Sequence, residues 1–588
     1  MWRGAPSRGL SRRDFLRGSA VAGTAAVFAP GLLTNGAQAV NCLLPPGSLP
    51  FPGRPAGIPQ PDLAPELSNI DHVFVLMQEN KSFDAYFGML PWDPVTRGRL
   101  HGRVDGWRGL DGAGRPTDVQ QDKDGKWYQA FQMRSSCATS KPDVSWDYSH
   151  HAYNGGKMDQ FVGYHSGEAA MGYWNHEVLS TYYSLAAHFP VGDRYFSSVL
   201  GSTDPNRLFS ICASAVGITD TMRPPPPNFD PNNPAHQTQV SPPNGHIFEV
   251  LDHYSVPWLT IAGNLPTVGL IAAPYAESRV GRNIILAGSN ENAVTALQAV
   301  ITAGTLPRGV ITVEPDFVYG SEENANDIDV GQHFIEGVVK AIMGNAAVWS
   351  RSLILFAYDE SGGYYDHVTP PAAITPGDGV PPHLPRAGWF GDNYQRYGFR
   401  VPNMVISPWA RADHVSHVVR DHTSILRTIQ AKWNLPALTY RDANAADFRE
   451  CLVASGPAPF EVPPPVAAAP AKTALDSIQC QQQPALAGTF PGSVPRPRVV
   501  PGPTPPPAVS YPAACPTPQA LTASPAGAGG GGAGGTPNTG TVDISAAAVG
   551  LLGAAALGAA VLGWRRRESP STRDGRPENI GLTTPGGL

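Results

Sequence analysis

The chain has 588 residues and is 42% hydrophobic, enough apolar material for one large domain or two or three smaller ones. Its formal charge of -6 and the lack of a long basic stripe give no reason to expect a nucleic-acid partner. The six cysteines stand too far apart for a thiolate metal finger, so disulfides in an oxidising compartment are expected, with their pairing left open.

Residues 1–39 contain "SRRDFLRG" (11–18), a short apolar run and "AQA" (37–39). Twin arginines, a modest apolar stretch and a small-x-small site predict a Tat-type signal peptide, read by the Tat export machinery and cleaved after Ala39. The segment "HVFVLMQENKSFDAYFG" (72–88) starts as an apolar strand and ends on Glu79 and Asn80. Further on, "SHHAYNGGKMDQF" (149–161) sets His150 beside His151. In "GSTDPNRLFSICAS" (201–214), Thr203 precedes a Pro that suits a helix start, where free N–H groups favour a phosphate oxygen. Arg207 in the same segment is a candidate for neutralising charge.

Two more apolar runs end on acids: 310–313 on Glu314 and Asp316, and 353–358 on Asp359 and Glu360. Between them, Val330, Phe334, Val338 and Ile342 recur at helical spacing. Continuous apolar runs in a strand–helix–strand order predict a mostly parallel α/β sheet with ligands outside the carboxyl ends of its strands. "VPNMVISPWA" (401–410) reads as another buried strand and "DHTSILRTIQAKW" (421–433) as a helix beginning near Asp421. The folded domain is expected over 66–455.

Residues 456–543 read as a Pro/Gly/Ala-rich tail and spacer. The uncharged stretch 544–564 is long enough to cross a bilayer, and Arg565 to Arg567 would keep 565–588 cytoplasmic. "TPNTG" (536–540) ahead of it resembles a sortase sorting signal, which makes covalent wall attachment the alternative to a membrane anchor. Both readings place the domain on the outer face of the cell membrane or on the cell wall.

Carboxylate, amide and hydroxyl oxygens suit a hard or borderline divalent cation. If Glu79, Asp359 and Glu360 converge, they repel one another unless something compensates, and a cation is the simplest compensation. Such an ion would also lower the pKa of the Thr203 hydroxyl. Taken singly, each piece is also explained as a helix start or a solvated turn; their co-occurrence weighs against that.

Taken in order, "HVFVLMQENKSFDAYFG", "GSTDPNR", "YDESGGYYDHVTPP" (358–371) and "DHTSILRTIQAKW" resemble the bacterial phosphoesterase family that contains nonspecific phospholipases C and related acid phosphatases. The resemblance covers about residues 70–435. It implies an α/β fold, a three-layer α/β/α core with a mostly parallel sheet, alkaline-phosphatase-like. It also implies a divalent ion (Ca, Mn, Mg, Zn or Fe) on Glu79, Asn80, Asp359 and Glu360, with Thr203 as nucleophile and metal contact. His150 or His151 then becomes a proton donor or phosphate contact, and His367 either a pocket residue or a brace for its turn. The implied activity is metal-dependent phosphate-ester hydrolysis outside the cytoplasm, first as a phospholipase C on phospholipid headgroups. An acid phosphatase on small phosphomonoesters and a non-catalytic surface binding or adhesion module are the alternatives. The chain departs from the family pattern in "DVSW", at Val144, where relatives often carry a histidine before the tryptophan, and in "ENANDIDV", where Ala325 and Asn326 stand in place of the common His-Pro.

Overall fold

The central strands form where consecutive residues are apolar on both faces. In the computed structural model, every residue of His72–Gln78 and of Ser352–Tyr358 is buried, as strands covered by helices on both sides require. Residues 42–495 are described, except Gln60, Thr139, His165, 222–238, Ala272, 385–390 and 484–491, together with Ala513–Ala514. The expected signal peptide, the sorting motif, the apolar span 544–564 and the basic tail lie outside the described residues. Among the described residues, no helix is long and apolar enough to cross a membrane.

The main sheet has strands β1 (His72–Gln78), β2 (Val191–Gly192), β3 (Trp258–Ala262), β4 (Ile284–Leu286), β5 (Val310–Glu314), β6 (Ser352–Tyr358), β7 (Asn403–Ile406) and β8 (Val415–Ser416). Their spatial order is β8-β2-β7-β6-β1-β5-β3-β4, an eight-stranded sheet. The run from β6 to β4 is parallel throughout, and β7 is antiparallel to both of its neighbours. The mostly parallel sheet predicted from the apolar runs is therefore present.

The main helices are α1 (Phe83–Phe87), α2 (Trp146–Tyr153), α3 (Ser180–Ala186), α4 (Thr203–Cys212), α5 (Ile247–His253), α6 (Asn290–Thr302), α7 (Ile328–Met343), α8 (Thr423–Trp433) and α9 (Ala474–Gln482). Helix α7 buries Val330, Phe334, Val338 and Ile342, each such side chain stabilising the fold by roughly 1.5–3 kcal/mol, and packs on α3, α6 and α9. Helix α4 packs instead against α5 and α8. The C-terminus of α8 is set by Asn434, which takes the left-handed conformation at φ 49.

The folded body exceeds the expected 66–455 at both ends. Leu44 N donates to Asn444, and Gly57 N donates to the Trp433 carbonyl. Beyond 455, the Ala467 and Ala468 carbonyls accept from the Thr181 and Ser180 hydroxyls, and Cys480 on α9 forms a disulfide with Cys137, 343 residues away. Composition misled here because proline-rich backbone keeps its carbonyl acceptors and can pack without regular structure. Cys212 and Cys451 are buried free thiols.

Candidate active site

The register of the sheet brings the acidic strand exits together. Tyr358 pairs with Gln78, so Asp359 and Glu79 leave β6 and β1 side by side, and Asp359 N donates to the Gln78 carbonyl at 3.1 Å. On the other side of β1, β5 ends at Glu314. After Glu360 the chain needs two glycines at positive φ, Gly362 (65°) and Gly363 (72°). A Cβ on Gly362 would strike the Asn80 carbonyl oxygen, and one on Gly363 the Asp143 carbonyl oxygen. The Gly-Gly turn thus lets Glu360 close onto Asn80 and admits the segment around Asp143 to the same edge. The Glu360 Oε2 accepts from Gly362 N at 2.7 Å.

Helix α4 supplies the cation. The buried Arg207 places Nε 3.0 Å from Asp359 Oδ2 and 3.6 Å from Glu79 Oε1, and Nη1 3.6 Å from Glu314 Oε2. It also donates to Thr267 and to the Gln78 carbonyl, and its guanidinium lies over the Phe317 ring at 4.3 Å. Thr203 starts the same helix, one turn before Arg207 and on the same face. It is half-buried, and its N-cap Ser202 forms no side-chain cap.

One guanidinium does not balance these acids. Burial pushes the Asp359 carboxyl up to about 7 against the pull of Arg207. Burial and then Asp359 push both Glu79 and Glu360 well above the usual carboxylate range. The Oδ1 and Nδ2 of Asn80 and the Oε1 of Glu360 are buried without a hydrogen bond. Each unsatisfied buried group costs about 1–3 kcal/mol. Glu79, Asn80, Asp359 and Glu360 thus offer the oxygen donors that suit a divalent cation, whereas the groups whose ligand atoms already lie within 4.8 Å of one another among the described residues are Asp84, Asp366 and His367, and His414, Glu450 and Cys451.

The surroundings hold these groups in place. His422 lies with Nε2 2.7 Å from the Asp359 carbonyl and Nδ1 3.0 Å from the Tyr195 hydroxyl. Burial lowers its pKa to about 4, so the neutral ring donates from Nε2 and accepts at Nδ1. Lys81 is fully buried among the rings of Tyr86, Trp174 and Tyr364 and donates to the Glu322 carbonyl and to Asn324 Oδ1. The Glu322 carboxylate accepts from the hydroxyls of Tyr86, Tyr182 and Tyr358.

The candidate histidines occupy different surroundings. His150 bonds through Nδ1 to the Trp146 carbonyl and through Nε2 to Asp392, and its ring lies tilted against Trp146 with centroids 4.4 Å apart. Trp146 in turn lies against Gly201, where a Cβ would come within 3.3 Å of its ring, so His150 stands one ring away from the turn leading to Thr203. His151 stacks on Tyr164 and faces Asp147 at 3.9 Å. His367 is bonded by Asp84 at 2.6 Å and by Asp105 at 3.1 Å, with Arg400 completing a network to Asp84 and Asp366. Burial opposes its charge, but Asp84 and Asp105 win and push it up to about 9. In this arrangement His367 braces its turn as an imidazolium at neutral pH. The sequence offered no local sign of Arg400, which lies 33 residues beyond His367.

A Phosphoesterase family model matches residues 70–436. The chain is 29% identical to phospholipase C B of Mycobacterium tuberculosis, over 83% of this chain and 92% of that protein. It is 28% identical to the non-hemolytic phospholipase C of Burkholderia pseudomallei, over 75% of this chain and 64% of that one. Among solved structures, an alkaline phosphatase superfamily protein from Vibrio parahaemolyticus covers 59% of this chain and 77% of its own, at 8% identity and a TM-score of 0.29, a likeness too slight to bear on the fold.

Proposed function

The chain belongs to the Phosphoesterase family, a family of phosphate-ester hydrolases, and from that membership we propose that it is a phospholipase C that cleaves phospholipid headgroups outside the cytoplasm. The observation that carries the reading is the buried, unsatisfied oxygen pair of Asn80 and Glu360 beside Asp359 and Glu79, whose partner Arg207 lies one helix turn from Thr203. The names of its phospholipase C relatives support the substrate class.

A divalent cation bound to these residues would polarise a phosphoryl oxygen and ease loss of the Thr203 proton. Thr203 Oγ1 attacks phosphorus, the bond from phosphorus to the glycerol oxygen breaks, and the phosphorylated headgroup stays on Thr203 until water releases it. The N-terminal end of α4, which Ser202 does not cap with its side chain, favours the developing negative charge. His150 would give its Nε2 proton to the departing alcohol, the leaving oxygen replacing Asp392 there while Nδ1 stays on the Trp146 carbonyl. Arg207 fixes Asp359 and Glu79 in place. The twin-arginine segment and the apolar span 544–564 support Tat export and retention at the outer face of the cell membrane or wall.

The test is a metal-matched screen of the full chain in detergent on phosphatidylcholine, phosphatidylethanolamine, phosphatidylinositol and p-nitrophenyl phosphate. Release of diacylglycerol is the expected result. Turnover of the monoester alone would establish an acid phosphatase, and bound metal with no turnover a non-catalytic surface module.

A further inference from the structure

Of the two groups whose ligand atoms already converge, one is taken: Arg400 bridges Asp84 and Asp366, and His367 sits charged between Asp84 and Asp105. The other, His414, Glu450 and Cys451, has no part in the chemistry above. His414 directly precedes the edge strand β8, which runs parallel to β2 and, across the antiparallel β7, to β6. It therefore stands at the end of the sheet opposite Asp359 and Glu360. Glu450 and Cys451 lie in the single helical turn Arg449–Cys451. Loop and turn are held together by their backbones: Arg411 N donates to the Cys451 carbonyl and Arg411 Nε to the Glu450 carbonyl, both at 2.8 Å, while Arg99 Nη2 donates to the His414 carbonyl at 2.9 Å. Across this frame His414 Nε2 lies 2.8 Å from Glu450 Oε2, and the free thiol of Cys451 lies 3.6 Å from Glu450 Oε1.

We infer that His414, Glu450 and Cys451 form a cation site separate from the catalytic edge, selective for zinc or an ion of like softness, that clasps β8 to the turn 449–451. One nitrogen, one oxygen and one sulfur make a borderline-soft set, unlike the all-oxygen set of the catalytic edge. Ligands of a tetrahedral zinc stand about 3.3–3.8 Å apart, and one atom from each of the three residues lies within 4.8 Å of the others. His414 and Glu450 are 26% and 37% exposed, which gives an ion entry from solvent and leaves the fourth position to water, with the buried Cys451 behind them. Glu450 Oε1 stays with Ser416 and Arg420, so Oε2 is the ligand oxygen. On binding, the Cys451 S–H bond breaks, its proton passes to solvent and the sulfur keeps the electron pair for the ion; His414 coordinates through Nε2 with its proton on Nδ1. Burial and Glu450 hold the Cys451 thiol up at about 12, and a divalent ion inverts that balance, since a coordinating thiol loses its proton. Arg420 opposes a second positive charge here, and the thiolate offsets it.

The experiment titrates cobalt(II), a coloured stand-in for zinc, into the full chain in detergent, for the wild type, Cys451→Ser and His414→Gln. The catalytic set holds no sulfur, so a thiolate-to-cobalt charge-transfer band in the near ultraviolet reports this site alone. The wild type should develop the band with one equivalent of cobalt and lose it to added zinc. Cys451→Ser should lack it, and His414→Gln should need at least about ten times more cobalt. Zinc at a hundred times its Kd should raise the melting temperature of the wild type about 3 °C more than that of His414→Gln. No band in the wild type, a band that survives Cys451→Ser, or an unchanged titration in His414→Gln each overturns the inference. Because His414 is partly exposed in a loop, His414→Gln decides the matter if Cys451→Ser does not fold. None of these outcomes bears on the phospholipase reading, which is tested on lipid.

Discussion

Asp359 is asked to do two things at once, since its Oδ2 faces Arg207 while its carboxyl belongs to the proposed ligand set. Asp359→Asn removes the negative charge but keeps the shape. Divalent-ion stoichiometry measured by elemental analysis should fall, and turnover should drop at least about a hundredfold. Full metal content with unchanged kinetics would remove Asp359 from the site. Thr203→Ala tests the other half of the chemistry. The residue is half-buried at a helix start, so the fold should persist within about 1 kcal/mol while turnover nearly vanishes, and Thr203→Ser should recover part of it. Normal rates in a Thr203→Ala protein verified by peptide mass would move the attack to another group. Glu79, Asn80, Asp359 and Glu360 stood out in the sequence because each follows its strand immediately. The place of Arg207 did not, since its partners Glu79, Glu314 and Asp359 lie 107 to 152 residues away in the chain and only the sheet order brings them to one guanidinium.

At the scale of elements, the strands were legible where they sit in the centre of the sheet. β1, β5 and β6 announce themselves as unbroken apolar runs, and α7 by its 3.6-residue spacing. The two-residue strands β2 and β8 carry no pattern long enough to read, and α9 is hidden behind a proline-rich lead-in. The turn after Glu360 is anchored by an ionic brace whose strength depends on pH. The His367 pKa rises from an ordinary 6.5 to about 9 on folding, so its contribution is fully present below about pH 6.5 and fades as the pH climbs through 9. Denaturant titrations should show the wild type losing on the order of 3 kcal/mol of stability across that window. His367→Gln should be less stable at pH 6 and should lack that decline. Parallel curves for the two proteins would mean the imidazole is not charged in the fold.

For the whole molecule, the predictions concern where it resides. Replacing Arg12 and Arg13 together by Lys preserves charge yet should strand the protein inside the cell, because the export machinery reads the arginine pair as an address. Ending the chain before Thr536 should release active enzyme into the medium, while the full chain fractionates with the envelope. Full-length protein found free in the medium without lysis would defeat both the membrane and the wall anchor.

The bridge between Cys137 and Cys480 encloses β2 to β8 and most of the site, but leaves β1, with Glu79 and Asn80, outside the loop. A protease that nicks the chain once anywhere between those cysteines would therefore produce two pieces that remain one covalent molecule. On a denaturing gel the nicked protein should run at full mass until a reductant is added, then separate into its fragments. A chain so built tolerates a single cut in a surface loop without shedding half of its sheet, and its lifetime after such a cut is set by reduction and cleavage together.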